Sequence, residues 1–204
     1  MKITIFSSNQ PRHISLAREL SKIADEVFFI SEVNTVFPGK IADFFKKTDV
    51  MQNYFNNVTK SEKKIFGDIG FMPANVRTIS IKSGDLNLLS RDQLQEALQS
   101  NIYVVFGASY IKGWLIDFLV KNDALNIHMG ISPYYRGSSC NFWALYDSNP
   151  SYVGATIHML SKGLDSGDML FHCLPKYIEG DTLFDFTMRS VLSANFGLCQ
   201  LIAD

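Results

Sequence analysis

Lys2-Ile3-Thr4-Ile5-Phe6 opens the chain as a short apolar run, and Ser7-Ser8-Asn9-Gln10-Pro11-Arg12-His13 interrupts it with polar turn residues. Apolar side chains then recur at helical spacing through Ile14, Leu16, Ala17, Leu20 and Ile23. Val27-Phe28-Phe29-Ile30 restores a strand over residues 26–31. Strand, loop, helix and strand in that order begin a parallel sheet wound on both sides. The fold class expected is α/β, Rossmann-like and doubly wound, with a mainly parallel sheet and helices on both faces.

The remaining pattern continues this plan. Residues 44–65 read as mostly helical and aromatic-rich, within a stretch that starts at Phe37. Residues 76–81 form a weak strand candidate before the turn Ser83-Gly84-Asp85, and Ser90 is placed to cap a helix over residues 91–98. Residues 101–107 (Asn-Ile-Tyr-Val-Val-Phe-Gly) read as a buried strand, residues 114–120 as a short helix, and the stretch holding Asn126 as another strand. A helix over residues 142–146 and strands over 152–159 and 169–177 follow. The turn Gly180-Asp181-Thr182 then starts a last helix over 183–202. A single domain over residues 1–204 is expected.

Apolar residues make up 47% of the chain and charged ones 19%, and net charge is −1, so neither a nucleic-acid nor a membrane surface is indicated. Three cysteines, Cys140, Cys173 and Cys199, have neither disulfide-framework nor zinc-ligand spacing, which fits a reducing, cytoplasmic setting without a metal. They are expected to be packing residues.

The chemistry concentrates in Leu-Asn126-Ile-His128-Met-Gly130-Ile131-Ser132-Pro133-Tyr134-Tyr135-Arg136-Gly137 and in Gly163-Leu164-Asp165-Ser-Gly167-Asp168. Asn126 and His128 stand two apart, so an extended backbone points both side chains to one face. Pro133 and Gly137 then turn the chain into a loop. An amide, an imidazole and a carboxylate can therefore meet at one sheet edge. Asp165 competes with Asp168 for the carboxylate role, Asp168 being the alternative suited to capping a turn.

With Gly154-Ala-Thr156-Ile-His158 added, these motifs resemble the folate-dependent formyltransferase family, in the family's order and at compatible spacing. That family includes glycinamide ribonucleotide transformylase, methionyl-tRNA formyltransferase and the sugar N-formyltransferases. The similarity is most evident from Val104 to Leu174. It implies the formyltransferase fold, N10-formyltetrahydrofolate as formyl donor, no metal, and Asn126, His128 and Asp165 as the catalytic group. The chemistry suits these residues. An amine attacking a formyl carbon generates an oxyanion, to which Asn126 and protonated His128 can donate. Losing one such donor typically costs about 3–4 kcal/mol of barrier. Asp165 would favour the imidazolium and help carry the amine's proton towards N10 of the folate.

By the same resemblance, Ser109, Tyr110 and Ile111 match the segment that contacts the pterin, and Gly163, Leu164 and Asp165 lie in the loop that closes over it. Arg12, Tyr135, Arg136 and His158 are the residues expected to touch the acceptor. The chain departs from the family in two places. Gly130 stands where a serine is common, and the first loop has no glycine, unlike the phosphate loop of the ribonucleotide enzyme. The methionyl-tRNA enzymes grip tRNA with a C-terminal domain to which the resemblance does not extend.

The expected acceptor is therefore a small metabolite amine, most consistently a nucleotide-linked amino sugar, with no nucleic acid and no membrane as partner. Glycinamide ribonucleotide formylation, hydrolysis of formyltetrahydrofolate and a non-catalytic folate-binding module are the alternatives. The aromatic stretch around Tyr54 is expected to pack against helices, with a homodimer among the possible assemblies.

Overall fold

Lys2–Ser8 (β1) is buried at six of its seven positions, so it shows no polar alternation and belongs in the middle of a sheet. The computed structural model describes residues 1–36, 40–41 and 43–204. Phe37 lies outside them. After β1 come α1 (Pro11–Leu20), β2 (Glu26–Val33), a small antiparallel pair β3 (Thr35–Val36) and β4 (Lys40–Ile41), α2 (Asp49–Phe66) and β5 (Val76–Lys82). The second half holds β6 (Ile102–Phe106), α3 (Gly113–Lys121), β7 (Leu125–His128), α4 (Cys140–Tyr146), β8 (Ala155–Met159), β9 (Met169–Cys173) and α5 (Leu183–Ala203).

Seven strands form the main sheet in the order β5-β2-β1-β6-β7-β8-β9. The first five in that order are mutually parallel, while β8 pairs antiparallel with both β7 and β9. One face buries Ile3, Ile5, Phe29 and Val104 against Leu16 and Leu20 of α1 and Val191 and Leu198 of α5. The other buries Phe6, Ile30 and Val105 against Leu115 and Leu119 of α3 and against Leu86 and Leu94. This is the doubly wound α/β arrangement expected. Among the described residues no helix is long and apolar enough to cross a membrane.

Several elements differ from their sequence pattern: the strands expected over 152–159 and 169–177 are confined to Ala155–Met159 and Met169–Cys173. Helix α1 begins at Pro11 rather than Ile14, because proline suits the first helical position, where its missing N–H would have no partner. Residues 91–98 do not form the expected helix. Ser90 and Gln93 do exchange capping hydrogen bonds, at 3.2 and 2.8 Å, but turns follow and only Ala97–Gln99 is a 3-10 helix. Tertiary contacts override propensity in so short a segment. Leu94 and Ala97 are buried in the sheet's second face, and the Ala97 carbonyl accepts from Thr4 Oγ1 at 2.6 Å.

Candidate active site

Asn126 and His128 occupy alternate positions of β7, and antiparallel pairing with β8 sets His158 opposite Asn126 and Thr156 opposite His128. Asn126 Nδ2 lies 2.8 Å from His158 Nε2. His158 Nδ1 donates to the Met159 carbonyl at 2.8 Å, so Nε2 is the acceptor and the Asn126 amide the donor. Thr156 pins the following loop by donating to Gly130 O at 2.7 Å and accepting from Ser132 N at 3.0 Å. A cis Ser132–Pro133 peptide lies within that loop.

The connection from β8 to β9 returns Asp165 to the same edge. Asp165 adopts a positive φ of 45°. Its Oδ2 lies 3.2 Å from His128 Nδ1 and accepts from Gly137 N at 3.1 Å, while Oδ1 lies 3.8 Å from His158 Nε2. Gly167 permits this turn, since a Cβ there would lie 1.7 Å from the Met159 carbonyl oxygen. Burial pushes the Asp165 carboxyl up, but the facing His128 and the Gly137 N–H outweigh it and leave the group below its ordinary value.

His128 Nε2 lies 2.9 Å from the Tyr135 carbonyl and 3.6 Å from Cys140 Sγ. A ring with a proton on each nitrogen satisfies both Asp165 and Tyr135 O. Burial first, and then the Asp165 charge, push the Cys140 thiol up to about 11, so it packs here as a neutral group. Its proximity explains Gly130: a Cβ at that position would meet Cys140 Cβ at 2.6 Å and His128 Nε2 at 2.7 Å.

The group opens onto a cleft of about 510 Å³ along the C-terminal ends of β1, β6 and β7. Ser109, Tyr110 and Ile111 line one wall and Gly163, Leu164 and Asp165 another. The first wall is braced from beneath by Glu32, which is fully buried and accepts from Ser109 N at 2.5 Å, Ser109 Oγ at 2.8 Å and Gly84 N at 2.8 Å. Tyr110 Oη donates to the Lys162 carbonyl at 3.0 Å and so spans the two walls.

The expected acceptor residues are dispersed. His158 and Arg12 line the cleft, but His158 has both nitrogens engaged and Arg12 pairs with Glu62 at 2.6 Å. Tyr135 and Arg136 lie outside the lining. The Tyr135 hydroxyl donates to Asp147 at 3.1 Å, while Arg136 is exposed. Asp168 is exposed too, and only its backbone carbonyl is engaged, by Met159 N at 2.9 Å. Glu32, the Tyr135 carbonyl and the Asn126–His158 bond were not legible in the sequence. Motif spacing gave no strand register, and a main-chain acceptor has no residue signature.

A family model described as "Formyl transferase" matches residues 77–198. The methionyl-tRNA formyltransferase of Acidobacterium capsulatum is 37% identical over 101 residues, which are 48% of this chain and 32% of that protein. The matched chain thus spans about a third of that curated relative. Two solved structures share the fold. The phosphoribosylglycinamide formyltransferase of Anaplasma phagocytophilum has a TM-score of 0.61 and 15% identity, covering 100% of this chain and 85% of that one. A sugar N-formyltransferase from a Shewanella species has a TM-score of 0.56 and 20% identity, covering 100% and 69%.

Proposed function

The chain belongs to the formyl transferase family, and from that premise we propose that it moves a formyl group from N10-formyltetrahydrofolate to the amine of a nucleotide-linked amino sugar. The observation that carries this reading is the convergence of Asn126, His128 and Asp165, from two separate segments, in the lining of one cleft. Its volume suits a drug-sized ligand, and Ile111, Ile116 and Leu160 supply the apolar lining that a pterin ring requires.

The acceptor nitrogen forms a bond to the formyl carbon, and the carbonyl oxygen takes up negative charge. One Asn126 Nδ2–H is held by His158, which leaves the second free to donate to that oxygen. His128 reaches it by exchanging its Tyr135 carbonyl contact, with Asp165 stabilising the imidazolium. The C–N10 bond then breaks, and the proton leaving the new amide travels by Asp165, directly or through water, to N10. The same reading carries a single catalytic domain over residues 1–204, a cytoplasmic setting and a small-molecule partner.

A second acceptor, methionyl-tRNA, is favoured by the names of the curated relatives. The balance of 19 basic against 20 acidic residues weighs against it. The test is tetrahydrofolate release from N10-formyltetrahydrofolate with a panel of amines: nucleotide-linked amino sugars, glycinamide ribonucleotide, methionyl-tRNA and none. Release that requires an amino sugar and falls about 10²–10³-fold in His128→Ala supports the reading. Release without an amine indicates hydrolysis. Folate binding without release indicates a binding module.

A further inference from the structure

The loop from β8 to β9 carries Asp165 and is held at three levels. At its base, Met159 N donates to the Asp168 carbonyl at 2.9 Å. Within it, Ser161 Oγ donates to the Gly163 carbonyl at 3.2 Å and lies 2.9 Å from Ser166 Oγ, so residues 161–166 form a closed turn. At its tip one residue, Lys162, is held twice from the opposite wall of the cleft. The Lys162 carbonyl accepts from Tyr110 Oη at 3.0 Å, and Lys162 Nζ lies 2.5 Å from Asp117 Oδ1 of α3.

Tyr110 is fixed where it stands. Asn87 Nδ2 donates to the Tyr110 carbonyl at 2.9 Å and Asn87 Oδ1 accepts from Lys112 N at 2.8 Å, while Ser109 is tied to Glu32 and the Ile111 side chain is buried. The Tyr110 residue itself is 62% exposed, so its contact with Lys162 lies at the rim of the cleft, outside the buried Ile111 and Ile116 that line it. The Lys162–Asp117 ion pair is exposed on both sides, and such pairs contribute little. The directional restraint is therefore the tyrosine hydroxyl on the main-chain carbonyl. Asp165 sits in the same closed turn with a φ of 45°, a conformation that a residue with a Cβ keeps when its surroundings hold it. From there Oδ2 reaches Gly137 N at 3.1 Å and His128 Nδ1 at 3.2 Å. Fixing the tip of the turn fixes the aim of this carboxylate.

Resting on formyl transfer as the activity of this cleft, we propose that Tyr110 is a positioning residue: through the Lys162 carbonyl, its hydroxyl holds the β8–β9 turn across the cleft so that Asp165 faces His128. Two readouts test it in Tyr110→Phe, which keeps the ring and removes the hydroxyl alone. In the transfer assay kcat falls about tenfold, the weight of one hydrogen bond, while both KM values and the melting temperature stay nearly unchanged. A kcat equal to that of the wild type, or a change confined to the donor KM, overturns the proposal, the latter by assigning the hydroxyl to the donor instead of the turn.

The second readout needs no turnover. Because the Gly137 N–H donates to Asp165 Oδ2, its hydrogen exchange, followed by NMR on ¹⁵N-labelled protein, reports whether the carboxylate is in place. Exchange at Gly137 about tenfold faster in Tyr110→Phe, with the amides of β1 unaltered, supports the proposal. The same Gly137 exchange in both proteins overturns it. If no amine is formylated, the proposed activity fails, while the exchange measurement still decides whether Tyr110 holds Asp165.

Discussion

Asn126 faces His158 because β7 and β8 pair in antiparallel register, and the His158 bond to the Met159 carbonyl dictates which nitrogen is left to accept from the amide. His158 is therefore expected to act through Asn126 rather than on the acceptor. His158→Phe should lower kcat about 10–100-fold, roughly the loss of an aimed donor, with both KM values nearly unchanged, and His158→Gln should restore part of the rate. A rise in acceptor KM without a change in kcat would instead return His158 to acceptor binding. Asp165 sets a pH dependence. Its folded value is depressed, so its charged form, and the stability that form contributes, persists above the ordinary carboxylate value and is lost as pH falls through the lowered one. The acid limb of kcat/KM assigned to this group should lie below about pH 4 and disappear in Asp165→Asn. A limb near pH 6.5 that survives this substitution would belong to an imidazole.

The loop between β8 and β9 is the element on which the site depends most. It closes through Met159 N to Asp168 O at 2.9 Å and brings Gly167 against the Met159 carbonyl, with no room for a side chain. Backbone on both sides of that contact makes relief difficult. Gly167→Ala should therefore destabilise by about 3 kcal/mol and displace Asp165, so that thermal melting and transfer rate fall together. Helix α5 offers a contrasting test, away from the cleft. Thr182 and Asp185 form a capping box, and Asp185 also accepts from Ser61 and Lys64 of α2, each at 2.7 Å. Burial raises the Asp185 carboxyl, but Lys64, Thr182 and Ser61 outweigh it and hold it far below its ordinary value. Asp185→Ala should cost about 3 kcal/mol, read by urea denaturation, with kcat retained at low temperature. The wild-type protein should lose this contribution as pH falls below about 4, and the variant should have none to lose.

Over the whole molecule, charge bears on the proposed acceptor. With 19 basic and 20 acidic residues the chain lacks a phosphate-neutralising excess, so transfer to a small acceptor should change little between low and moderate salt. A steep loss of rate with salt would favour the tRNA acceptor. The doubly wound class and most strands were legible because they rest on local periodicity, and the two-residue spacing of Asn126 and His128 sufficed to put both on one strand face. The failed helix over residues 91–98 and the early start of α1 were not. Docking of Leu94 and Ala97 decided the first, and the preference of Pro11 for the first helical position decided the second. The amino-acid order by itself determined which chemical groups lie at the ends of the strands, since alternation and turn residues act over a few positions. Tertiary structure alone decided which of them meet. Strand register set His158 on Asn126, and a returning loop chose Asp165 over Asp168. Burial made His13 a neutral group and Glu32 a brace, because hydrogen bonding and desolvation depend on neighbours brought together from distant parts of the chain.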